Sequence, residues 1–205
     1  MGAVEHGELD IPSDLCPDGD VILVVGSDNV RLRVHSQCLS CASKVFSAMF
    51  GPHWREGQGL SKESPKDIQL EDDNAAALRT ICCVIHHCND AIPQVLTPME
   101  VLQIAITADK YDLGVALRYA TAEWLQPKGN VDKTEMGYLM AAAYFLGNME
   151  VFVKSSLKLI LDYDGSYAEF LGDKLMNQVL PCKAVCEYRH HSSAIGSVTN
   201  LVRPP

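Results

Sequence analysis

Three groups of cysteine and histidine carry spacings that metal or redox chemistry uses. His35, Cys38 and Cys41 read H-x2-C-x2-C, which would suit zinc or a dithiol pair. Cys82, Cys83, His86, His87 and Cys88 are denser, with Cys82 and His86 one helical turn apart and Cys83 and His87 likewise. Each pair could offer a metal two ligands, but on a helix the two pairs point about 100° apart and neither completes four ligands locally. Cys182, Cys186 and His190 share one face if 181–191 is helical, and are equally incomplete. Glycine-rich phosphate loops, nucleophile elbows and zinc-protease helices are missing from the sequence. The expectation is therefore reduced structural thiols, with no metal, no cofactor and no catalysis. A metal-binding or enzymatic protein is the remaining alternative.

The elements that position these residues follow from the apolar pattern. Val21 to Val25 form a β-branched run, and Gly26, Ser27, Asp28 and Asn29 supply a turn. Val30, Leu32 and Val34 then alternate with Arg31 and Arg33, so a hairpin with a half-buried second strand is predicted. Ser36 opens a helix in which Leu39, Ala42, Phe46 and Met49 recur, stopped by Gly51-Pro52. After a Gly- and Ser-containing loop, Ile68 and Leu70 alternate with polar residues as a third strand. Asp73 begins a helix with Ala77, Ile81, Val84 and Cys88 inward. Thr97-Pro98-Met99-Glu100 reads as a capping box, and a break near Tyr111-Asp112 precedes a helix through Leu113, Leu117, Ala120 and Trp124. Asp132-x-x-Glu135 is a second capping box, and Gly147-Asn148 turns into a last helix, so 132–162 echoes 97–125.

Composition sets the outer limits. The chain has 205 residues, 47% of them apolar, and a net charge of −9. Residues 1–73 hold thirteen acids against six bases, so phosphate backbones and anionic membrane surfaces are repelled. No nucleic acid or membrane partner is expected. No run approaches the roughly 18 apolar residues of a membrane helix, and Met1 to Asp10 lacks the basic and apolar parts of a signal peptide. A cytoplasmic or nuclear location is expected, which keeps the eight cysteines reduced.

The stretch Asp20 to Leu125 resembles the BTB/POZ domain. The residues that carry the resemblance are Asp20 before the first strand, then His35, Leu39, Ser43, Phe46 and Met49 as H-x3-L-x3-S-x2-F-x2-M, and Ala108-Asp109-Lys110-Tyr111. The resemblance implies an α+β fold, a small three-stranded sheet capped by stacked helical hairpins and followed by extra C-terminal helices. The corresponding divisions are a flexible acidic arm at 1–18, the BTB-like domain at 19–126, a helical extension at 130–190 and a disordered tail at 192–205.

The function implied is a non-catalytic protein–protein interaction module, a scaffold for self-association or partner recruitment. The alternative is a substrate adaptor of a cullin-RING ubiquitin ligase. The expected partners are proteins, among them a second copy in a homodimer and a cullin. The helical pair at 132–162 resembles the post-BTB helices of adaptors. The hydrophobic-x-acid motif of many such adaptors is not matched by Met99-Glu100-Val101 or Val101-Leu102-Gln103. Trp54, in a polar loop, and the crowded apolar start Met99, Val101 and Ile104 are the candidate partner surface.

Overall fold

The computed structural model describes residues 15–162 and Leu175. Its elements are β1 (Val21–Val25), β2 (Val30–Val34), α1 (Ser36–Ala42), α2 (Lys44–Met49), β3 (Lys66–Leu70), α3 (Ala75–Ile85), α4 (Pro98–Lys110), α5 (Arg118–Trp124), α6 (Lys133–Phe145) and α7 (Met149–Asp162), with short 3-10 turns at Arg55–Gly57 and Asn89–Ala91. This is the α+β architecture expected: a three-stranded sheet and seven α-helices among the described residues. The chain divides into two compact units, residues 1–92 with 111–116, and residues 93–110 with 117–205. The predicted arm at 1–18 is described only from residue 15. The predicted tail at 192–205 and the end of the 130–190 extension lie outside the described residues.

In the first unit the sheet runs β2-β1-β3. The hairpin closes through Gly26 and Asn29, both in the left-handed region at φ 70° and 53°, a conformation that glycine and asparagine adopt at least cost. β3 joins the other side of β1 in parallel, Leu23 opposite Ile68, a pairing that needs a crossover and is not marked locally in the sequence. Val21, Leu23, Val25, Leu32 and Val34 are buried, as are Leu39 on α1 and Leu78 and Ile81 on α3.

The continuous helix expected from Ser36 to Met49 is two helices. Ser43 sits between them in extended conformation, φ −141° and ψ 129°. Its amide closes α1 on the Leu39 carbonyl, and its hydroxyl accepts from the Phe46 amide at 3.0 Å as the N-cap of α2. The same hydroxyl donates to the Tyr111 carbonyl. Tyr111 in turn stacks on Phe46, centroids 4.5 Å apart, and donates its hydroxyl to Asp73 Oδ2 at 2.7 Å. A tertiary demand for Ser43 thus overrides the helical periodicity on either side of it.

Helix α3 begins at Ala75, two residues later than expected, and is capped by Asn74, whose Oδ1 accepts from the Ala77 amide at 2.8 Å. It ends at Ile85, so Cys88 is not an inward helical position. His87 turns the chain at φ 60°, and the Cys88 thiol lies 3.8 Å from the Leu15 carbonyl.

The second unit is helical. Both predicted capping boxes form: Thr97 and Glu100 exchange bonds at the start of α4, and Asp132 and Glu135 do so at the start of α6. Residues Met136 to Ala143 of α6 are all buried, as befits a helix with neighbours on two sides. α4 packs against α6, and α6 against α7.

The Ser43 network gives a direct test. In Ser43→Ala the Phe46 amide and Tyr111 carbonyl lose a buried partner, so urea denaturation should lose about 1–3 kcal/mol of unfolding free energy. Ser43→Thr, which keeps the hydroxyl, should recover most of it.

Candidate functional site

The residues at the sheet-to-helix junction act on the backbone rather than on a ligand. Asp20, at the foot of β1, accepts the Ser36 amide at 2.8 Å and the Ser36 hydroxyl at 2.6 Å. His35, the N-cap residue of α1, makes no side-chain cap of its own, so the Asp20 carboxylate serves as a remote cap beside the positive end of the helix. The His35 amide donates to Nε2 of His86 at 3.1 Å, and Nδ1 of His86 faces the Cys82 carbonyl at 2.8 Å. This fixes the neutral tautomer with the proton on Nδ1. Nε2 of His35 lies 3.2 Å from Asp18.

These contacts decide the chemistry open to the cysteines and histidines. Both ring nitrogens of His86 are engaged by backbone groups, so it is not a free ligand. Cys82 and Cys83 are buried, and burial pushes both thiols up from their ordinary value. Cys16 is pushed up to about 11, mainly by burial and then by neighbouring Cys88 and Cys38. Thiols so shifted are poor nucleophiles and poor metal ligands at neutral pH. Burial likewise raises Cys38, while Cys41 is exposed. Among the described residues no three His, Cys, Asp or Glu side chains converge as metal ligands. The Cys182, Cys186 and His190 group lies outside the described residues.

A concave feature of the first unit lies apart from these residues. α2, the 3-10 turn and β3 enclose an open groove of about 820 Å³, lined with Val45, Ala48, Met49, Trp54, Ile68 and Leu70. Each wall has a cause. Ser43 fixes the start of α2, and Phe46 turns inward while Val45 is left 37% exposed. The 3-10 turn passes so close to the end of α2 that a Cβ on Gly57 would lie 2.3 Å from the carbonyl oxygens of Phe50 and Gly51. Only glycine fits there. Lys66 on β3 donates its ammonium to the carbonyls of Arg55 and Gln58, tying the turn to the strand. Asp67 is held on the sheet by a two-pronged pair with Arg31, both bonds 2.8 Å.

Trp54 stands on this groove 59% exposed. Lys44, Arg55 and Glu56 supply charge around an apolar floor. Trp54-Arg55-Glu56, in the loop after Gly51-Pro52, has the hydrophobic-x-acid pattern that Met99-Glu100-Val101 and Val101-Leu102-Gln103 do not match, and it is visible in the sequence itself. A wide apolar groove with an aromatic at its edge and no histidine or cysteine in its lining suits a side chain or helix of another protein.

The other candidate residues separate by burial. Met99 is 46% exposed, but Val101 and Ile104 are 1% exposed. These two leave the candidate surface, because α4 buries more than one face. Ala108 is fully buried, Asp109 and Lys110 are exposed, and Tyr111 is buried at 3%. Leu39 is buried, and Met49 lies at the groove. No helix among the described residues is long and apolar enough to cross a membrane.

A family model described as the BTB/POZ domain matches residues 15–123. No curated protein sequence matches the chain.

The His86 geometry predicts a pH dependence. Burial lowers its folded pKa below the ordinary 6.5, and protonating Nε2 would set a donor against the His35 amide. Its contribution is complete above about pH 6.5 and is lost as pH falls below that value, levelling off once the folded form also protonates. Thermal unfolding between pH 7.5 and 5.5 should register this decline, and His86→Gln should flatten it.

Proposed function

Because the chain belongs to the BTB/POZ domain family, whose members generally act as protein–protein interaction modules, we propose that it is a non-catalytic scaffold that self-associates or recruits a protein partner through the α2–β3 groove. The observation that carries this reading is Trp54, more than half exposed beside a groove floored by Val45, Met49 and Ile68. Burying a tryptophan in a dry interface is among the largest single contributions to binding. Residues 19–126 are taken as the interaction core and 130–190 as its helical extension.

A second reading, the cullin adaptor, is favoured by two observations. Trp54-Arg55-Glu56 supplies the hydrophobic-x-acid triplet, and among the described residues neither Arg55 nor Glu56 has an ion-pair partner. The helical pair α6–α7 also follows the core as it does in adaptors. Both readings place the partner at the same edge of the first unit and differ in its identity.

Light scattering after size exclusion separates them, using the full chain alone and mixed with the N-terminal domain of a BTB-class cullin. A one-to-one complex that Trp54→Asp weakens at least tenfold makes the chain an adaptor. A dimer that Trp54→Asp converts to monomer, with no cullin complex, makes it a self-associating scaffold. Dimer or complex formation insensitive to Trp54→Asp and to Val45→Asp contradicts use of the groove.

A further inference from the structure

Among the described residues β3 lies at the edge of the sheet, and its residues from Lys66 to Leu70 all border the α2–β3 groove. Successive side chains of a strand point to opposite faces. A strand that met the groove with one face would contribute alternate residues, so the unbroken run means that β3 meets it edge-on.

The hydrogen bonds at the two ends of β3 identify the backbone groups on that edge. The Lys66 amide donates to the Asp20 carbonyl at 3.1 Å, and the Leu70 carbonyl accepts from the Gly26 amide at 3.0 Å. In a parallel pair the amide and carbonyl of one residue point to the same side, and the side alternates along the strand. Lys66, Ile68 and Leu70 therefore serve β1, while the amides and carbonyls of Asp67 and Gln69 point out from the sheet. No described residue bonds to these outward groups, and both residues are exposed. The opposite edge differs, because there the Arg33 carbonyl of β2 accepts the Cys16 amide at 3.1 Å. A charged side chain on an edge strand discourages further pairing, but the Asp67 carboxylate is drawn back over the sheet by Arg31.

The surroundings of this edge select what fits it. Val45, Ala48 and Met49 of α2 stand beside it with Trp54, where the inward side chains of an added strand would lie. Five strand residues span about 17 Å. Apolar groups at every second position of such a segment would cover this wall, while its backbone satisfies the outward groups of Asp67 and Gln69. A second copy joined through β3 by a two-fold axis would bring its own α2 to the same face, crowding the first, whereas a bare segment has no such flank. The groove is also the cationic part of a chain with net charge −9. Lys44, Arg55 and Lys66 line it against Glu56 and Asp67, and Asp67 is compensated by Arg31.

We infer that the groove takes an extended segment of another protein, apolar at alternate residues and acidic, which adds to the outer edge of β3 as a fourth strand. The inference rests on the α2–β3 groove being the docking surface, and it specifies the conformation and chemistry of what docks.

The test is a library of random twelve-residue peptides displayed on phage and panned against the full-length chain, with the strongest binder resynthesised and N-methylated at one amide at a time. The enriched peptides should place apolar residues at every second position and carry Asp or Glu. N-methylation should weaken binding at least tenfold at alternate residues and less than twofold at those between, because only alternate amides of an added strand face β3. Gln69→Pro removes an outward amide at an edge position where proline is tolerated and should weaken binding at least tenfold, whereas Gln69→Ala keeps the amide and should not. Peptides that Val45→Asp releases, but that space their apolar residues by three and four or ignore N-methylation and Gln69→Pro, overturn the inference and leave the groove as the docking surface. Enrichment of no peptide, or only of peptides that the Val45→Asp chain still binds, also overturns the inference, and light scattering of Val45→Asp then judges the groove separately.

Discussion

The hydroxyl of Ser43 is the contact on which the α2 edge of the first unit depends. It ends the helical run, caps α2 through the Phe46 amide and holds the Tyr111 carbonyl. The Phe46–Tyr111 stack and the Tyr111–Asp73 bond then lock the same corner from the other side. Buried polar groups this close together are costly unless all are satisfied, so the corner has one arrangement, and α2 one direction. That direction leaves Val45 and Met49 facing β3 across the groove. For the partner proposed above the groove is a preformed surface, which lowers the ordering cost of binding.

The junction between β2 and α1 is governed by the same requirement. The start of a helix leaves amides without partners, and here Asp20 from one strand and His86 from α3 supply them. This accounts for Asp20 and His35 without any catalytic role. It also gives a physical setting for the cysteines around them. Cys16, Cys82 and Cys83 have thiols raised chiefly by burial, and they behave as small apolar side chains that fill the space behind the junction.

Much of this was legible in the sequence where the cause is local. The β1–β2 hairpin followed from Gly26 to Asn29, and both capping boxes followed from their four-residue patterns. The break at Ser43 was hidden because its cause, the Tyr111 carbonyl, comes from a segment far along the chain. Parallel pairing of β3 with β1 carries no local mark. Val101 and Ile104 looked like surplus apolar residues because a single periodic stripe was assumed for α4, whereas the helix is buried on more than one side. Trp54 stood out as an aromatic in a polar loop, but the groove beside it needs α2, Gly57 and Lys66 placed together. The local contact of His86 Nδ1 with the Cys82 carbonyl follows from their one-turn spacing, whereas the contact that occupies Nε2, from the His35 amide, is tertiary.

The account reduces to the claim that Trp54 is covered when the chain meets its partner. The chain has two tryptophans, Trp54 and Trp124, so Trp124→Phe isolates the fluorescence of Trp54. Acrylamide quenching of that variant should be strong in dilute solution and fall several-fold on self-association at high concentration or on addition of the cullin N-terminal domain, with a blue-shifted emission. A complex that forms while Trp54 stays as quenchable as in the free chain would contradict the account.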